Sequence, residues 1–102
     1  MLIVAGHVRL APGEVEKILP AAHGMMEETH KEAGCREYTF ARDLSDETTI
    51  RIFEIWESRE ALDAHFATPH MAEFNKALGD VKVESVSVKI YDVSGVHPLM
   101  GE

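Results

Sequence analysis

The chain has 102 residues, 45% of them apolar, and a formal net charge of −8. That length holds one hydrophobic core, and the apolar share is too high for a disordered chain. The negative balance, with no cluster of Lys and Arg, excludes nucleic acid and an anionic membrane surface as partners.

No apolar run reaches membrane-spanning length. Cys35 is the only cysteine, so no internal disulfide forms and the cytoplasm is the expected compartment. The first ten residues are apolar but lack a basic flank and a small-residue cleavage site, so they read as a strand.

That strand spans Leu2–Leu10. Alternation places Ile3, Ala5, His7 and Arg9 on one face, and Leu2, Val4, Gly6, Val8 and Leu10 on the other. Gly6 marks a bulge or a close approach by another group. Pro12-Gly13 ends the strand, and the period then changes. Val15, Ile18, Leu19, Ala22, Met25, Met26 and Thr29 recur at helical spacing. Gly34 is the expected residue after the helix, and Pro20 predicts a kink near residues 16–20, because an interior proline costs about 3 kcal/mol.

Two strands follow, over residues 35–43 and 48–57, joined by the polar turn Leu44-Ser45-Asp46-Glu47 into an antiparallel hairpin. In the second of them Ile50, Ile52, Glu54 and Trp56 share one face, and Arg51, Phe53, Ile55 and Glu57 the other. Large apolar groups on both faces imply that both are covered. One layer of helices covers one face only, so a second protomer is expected on the other. Ser58 caps a helix over residues 59–66. Thr68-Pro69 ends it and opens another, running to about Leu78. Residues 81–93 form the last strand. The chain is expected to hold a single domain over residues 1–93 and a tail over residues 94–102. Its order of elements, β-α-β-β-α-α-β, is that of an α+β ferredoxin-like sandwich with an antiparallel sheet.

Several stretches resemble the antibiotic biosynthesis monooxygenase superfamily, in particular its quinol-monooxygenase-like branch. They are Glu32-Ala33-Gly34-Cys35, Tyr38, Glu54-Ile55-Trp56-Glu57-Ser58, Ala64-His65 and Thr68-Pro69-His70-Met71. The resemblance implies a homodimer whose two sheets pack into a dimeric α/β-barrel. It also implies oxygenation of a small aromatic quinol or phenol by molecular oxygen, with no cofactor. Haem-degrading relatives carry an Asn, a Trp and a His at positions that correspond here to His7, His65 and Asn75, so that route is not implied. Another branch, acting on a phosphorylated sugar, shares a stretch similar to His65-Phe66-Ala67-Thr68-Pro69-His70. It keeps open an isomerase or enolising enzyme on a small carbonyl compound. A non-catalytic, small-molecule-binding stress-response dimer is the third reading.

Oxygenation and enolisation need the same parts: a base, donors for developing charge and a dry cavity. The candidate catalytic residues are His65, His70 and His7, with His65 the better base. The candidate substrate contacts are Tyr38, Met25, Phe66, Phe74 and Trp56. For His7, Tyr38 and Trp56 a place in the core or the dimer interface is the competing reading. Glu54 must be paired if buried, and Arg51 or Arg42 is the expected partner. His23 and His30 lack zinc-ligand spacing, so no metal site is expected. Cys35 has no activating neighbour and is expected to be inert.

Overall fold

The computed structural model describes residues 1–101; Glu102, the last residue of the expected tail, lies outside them. The elements are β1 (Leu2–Leu10), α1 (Val15–Thr29), β2 (Cys35–Arg42), β3 (Thr49–Trp56), α2 (Arg59–Phe66), α3 (Pro69–Gly79) and β4 (Val83–Asp92). The strands form one antiparallel sheet in the order β2-β3-β1-β4. This is the ferredoxin-like arrangement read from the element order.

Register decides which face of each strand the helices cover. In β1, Leu2, Val4 and Val8 lie opposite Trp56, Glu54 and Ile50 of β3, and opposite Asp92, Ile90 and Val86 of β4. Leu2, Val4, Trp56 and Tyr38 pack with Met25 of α1 and Leu62 of α2 in one buried cluster. Leu10, Val15 and Ile18 make a second, against which Phe74 and Leu78 of α3 pack. Hence Ile3, Ala5, His7, Arg51, Phe53 and Ile55 lie on the sheet face away from the helices. Gly6 is the close approach that its sequence suggests. A Cβ there would lie 1.9 Å from the Ser87 carbonyl oxygen of β4.

α1 runs as one helix through the exposed Pro20 and stops at Thr29, with His30 as its last cap. Gly34 therefore does not directly follow the helix, as expected, but comes four residues after the cap. Successive turn bonds, Lys31 N–H to the Glu28 carbonyl and Glu32 N–H to the Thr29 carbonyl, carry the chain past the helix end first. Gly34 then takes φ +84°, and a Cβ on it would lie 2.6 Å from that of Ala61 in α2. Its carbonyl accepts from the Glu57 N–H at 2.8 Å. The turn thus brings Glu32 up to the α2–α3 joint.

That joint is built as its sequence demands. The Ser58 hydroxyl accepts from the Ala61 N–H, the Thr68 hydroxyl accepts from the Met71 N–H, and Pro69 occupies the first turn of α3. Each such cap contributes about 1 kcal/mol.

Candidate active site

Between the helices and the sheet lies a cavity of about 460 Å³, within the range of small-molecule sites. Its wall draws on both core clusters and is mostly aliphatic and aromatic. Met25, Tyr38, Phe66 and Phe74 line it, as does Asn75. Val88 and Ile90 of β4 close one side, where no helix covers the sheet. The polar exceptions in this wall include His65 and Glu54.

His65 sits in the last turn of α2, 1% exposed. Its ring packs 4.9 Å from Trp56 and 5.3 Å from Tyr38, centroid to centroid. Its Nδ1–H donates to Glu32 Oε2 at 2.7 Å. His70, in the first turn of α3, donates from Nε2 to the same oxygen at 2.6 Å. One carboxylate therefore ties together the two histidines flanking the Thr68-Pro69 break. With Nδ1 engaged by Glu32, Nε2 is the His65 nitrogen without a hydrogen-bond partner among the described residues; in a neutral ring with its proton on Nδ1, that nitrogen is the acceptor.

Glu54 is 7% exposed on the helix-facing side of β3. The Trp56 Nε1–H donates to its Oε1 at 2.9 Å. The expected partners are engaged elsewhere: Arg51 with Asp43 at 3.0 Å and Arg42 with Glu16 at 2.7 Å. Arg51 points from the opposite sheet face, so it cannot reach Glu54. Burial pushes the Glu54 carboxyl up to about 7, the Trp56 hydrogen bond opposes that rise, and the Glu32 charge adds to it. Tyr38, buried beside both carboxylates, has its phenol held well above its ordinary value, first by burial and then by the charge of Glu54.

The structure separates several residues that the sequence groups together. His7 is on the far face of the sheet, with Nδ1 3.5 Å from Arg51 Nη1, and takes no part in the cavity. Trp56 is 0% exposed and fills the core behind His65; it supports the site without lining it. His70 borders a second, smaller cavity of about 160 Å³ with Glu28, Glu73 and Gly24. Glu32 was missed, although it belongs to a motif of the resemblance. The partner of Glu54 is Trp56 rather than an arginine, and the spacing of two that puts both side chains on one strand face is the signal for it. Glu32, His65 and His70 also form a set able to hold a metal ion, their ligand atoms all within 4.8 Å of one another.

An apolar cavity between a ferredoxin-like sheet and its helices, with His65 in its wall and Glu32 behind that ring, is the candidate site of this α+β domain. The chain belongs to the antibiotic biosynthesis monooxygenase family, whose pattern matches residues 1–77. It is 31% identical over 98 residues to the Synechocystis protein sll1783, across 96% of this chain and 67% of that protein. To the Mycobacterium tuberculosis candidate monooxygenase Rv0793 it is 32% identical over 66 residues, covering 65% of this chain and 64% of the relative. The matches thus span about two thirds of these relatives' lengths. The crystal structure of a candidate antibiotic biosynthesis monooxygenase from Deinococcus radiodurans superposes with a TM-score of 0.90 at 24% identity, covering 99% of this chain and 100% of that one. The structure of Rv0793 gives a TM-score of 0.81 at 22% identity, covering 97% and 98%. At these identities the superpositions establish a shared fold.

Proposed function

We propose that the protein is a cofactor-independent monooxygenase that oxidises a small aromatic quinol or phenol with molecular oxygen. The observation that carries this reading is His65. It is buried in the wall of an apolar cavity with Nδ1 fixed by Glu32, so that Nε2 can accept a phenolic proton. The phenolate passes an electron to oxygen, and recombination at a ring carbon gives a hydroperoxide. Loss of the ring proton and of water then leaves a quinone. One oxygen atom stays in the product and the other leaves as water. The phenol and the ring C–H supply the electrons, so the balance needs no external reductant. In this reading Glu54, whose carboxyl burial lifts to about 7 in the same wall, relays the second proton.

The phosphorylated-sugar alternative would need a free cation in the cavity. Arg42 lines it, but its guanidinium is paired with Glu16 at 2.7 Å; Lys89, the other Lys or Arg among the lining residues, lies in register with Ala5 on the sheet face away from the helices. An unfilled volume of about 460 Å³ likewise favours a ligand-holding site over a closed core.

A homodimer, built on the sheet face away from the helices, belongs to the same proposal. Phe53 and Tyr91 on that face are 37% and 50% exposed, and burying them would stabilise association. A single domain over residues 1–93 with a tail beyond it completes the reading, in the cytoplasm.

Oxygen uptake with a panel of dihydroxyaromatics tests it. Wild type should consume oxygen with at least one compound, and His65→Ala should lose about a hundredfold or more of that rate. Uptake at the background rate with every compound sinks the proposal.

A further inference from the structure

We infer that Glu32, His65 and His70 form a site for one divalent transition-metal cation of the zinc, cobalt or nickel kind, and that the bound cation switches off His65 as a base. The binding half stands on the cluster alone; the switching half rests on the function proposed above.

Two imidazoles and a carboxylate are a donor set suited to these borderline cations. Magnesium and calcium prefer oxygen donors throughout. The three ligands come from separately anchored places: the turn after α1, the last turn of α2 and the first turn of α3. Both nitrogens already converge on Glu32 Oε2, at 2.7 and 2.6 Å. Ligands about 2.0–2.2 Å from a tetrahedral cation lie roughly 3.3 Å from one another. Admitting the ion therefore opens each contact by about 0.6–0.7 Å, within reach of side-chain adjustment. The fourth position is left for water, as in zinc sites with three protein ligands.

His70 borders the cavity of about 160 Å³, whose wall also holds Glu73. That carboxylate, in a chain whose formal charge is −8, favours cations beside His70, whereas Glu28 in the same wall is paired with Lys31 at 2.9 Å.

The consequence for His65 follows from its tautomer. The cation takes the Nδ1 lone pair, and the proton that Nδ1 gave to Glu32 moves to Nε2. The proton of His70 moves likewise from Nε2 to Nδ1, so neither neutral ring loses a proton to solvent. His65 then presents a donor to the cavity where an acceptor is needed, and a phenolic proton has nowhere to go.

Trp56, the only tryptophan of the chain, reports on the site, since its ring lies 4.9 Å from that of His65. Chelator-treated, untagged protein is titrated with cobalt(II), following tryptophan fluorescence and the visible cobalt bands. Quenching should saturate at one equivalent and reverse on adding zinc. Glu32→Gln and His70→Ala should each raise the cobalt midpoint by more than about a hundredfold, beyond the cost of losing a second-shell partner. The exposed His23 and His97 provide controls whose alanine variants should bind as wild type does. Should Glu32→Gln fail to fold, His70→Ala decides alone. No quenching below millimolar cobalt, or equal quenching in His70→Ala and wild type, overturns the site. Zinc should suppress oxygen uptake in step with occupancy, and chelator should restore it; undiminished uptake at full occupancy overturns the switch. Absent oxygen uptake with intact cobalt binding removes the oxygenase reading and the switch together and leaves the cation site standing.

Discussion

The carboxyl of Glu54 is buried opposite Val4 and Tyr38, with Trp56 as its hydrogen-bond donor and, among the described residues, no Lys or Arg paired with it. Burial lifts it from 4.5 to about 7. Between those values the folded chain holds a proton that the unfolded chain has released. Stability is therefore highest below the unfolded value and falls as pH rises through the window, by about 3 kcal/mol in all. Glu54→Gln should abolish that slope, so urea midpoints of variant and wild type should converge at low pH and favour the variant at pH 8. Parallel profiles for the two proteins would show that Glu54 is not the titrating group. This residue was legible only in part. Its shared strand face with Trp56 follows from a spacing of two, but nothing local shows that Arg51 and Arg42 are taken by Asp43 and Glu16. Glu32 was harder still. It lies 33 and 38 residues from its two histidines, in a turn whose course depends on Gly34.

At the scale of elements, the α2–α3 joint was readable because its signals are local: Ser58, Thr68 and Pro69 each act within one helical turn. Alternation alone did not decide which face of β1 the helices cover, since Ile3 and Ala5 on one face are as apolar as Leu2 and Val4 on the other. Only the register against β3 and β4 puts Val4 under the helices and His7 on the far side. Two glycines carry tight constraints. Gly34→Ala forces a left-handed backbone on an L side chain and drives its Cβ to 2.6 Å from Ala61. It should cost about 2 kcal/mol or more in urea unfolding. An unchanged midpoint would mean that the turn and α2 are less tightly joined than the geometry indicates. Gly6→Ala sets a methyl group against the backbone of β4. Faster amide hydrogen exchange in β4, with β2 and β3 unchanged, is the expected result. Uniform exchange across the sheet would contradict it.

At the scale of the molecule, helices cover one sheet face, while the other leaves Phe53 and Tyr91 in solvent. If a second copy covers that face, sedimentation at micromolar concentration should give a dimer, and Phe53→Asp should shift it to monomer. A wild-type monomer would remove the dimer from the proposal. The element order and the antiparallel sheet were legible in the pattern of apolar periods, because period and turn chemistry are properties of short stretches. The cavity was legible in part: Met25, Tyr38, His65, Phe66 and Phe74 line it, while His7 and His70 do not, since the extent of a void is set by where distant surfaces fail to meet. The central claim joins that void to His65. Its most direct test supplies isotopically labelled molecular oxygen with a turned-over phenol or quinol and weighs the product by mass spectrometry. The account predicts one labelled oxygen atom in each quinone, no accumulation of hydrogen peroxide, and loss of both incorporation and uptake in His65→Ala. Unlabelled quinone with stoichiometric peroxide, or full incorporation by His65→Ala, would contradict it.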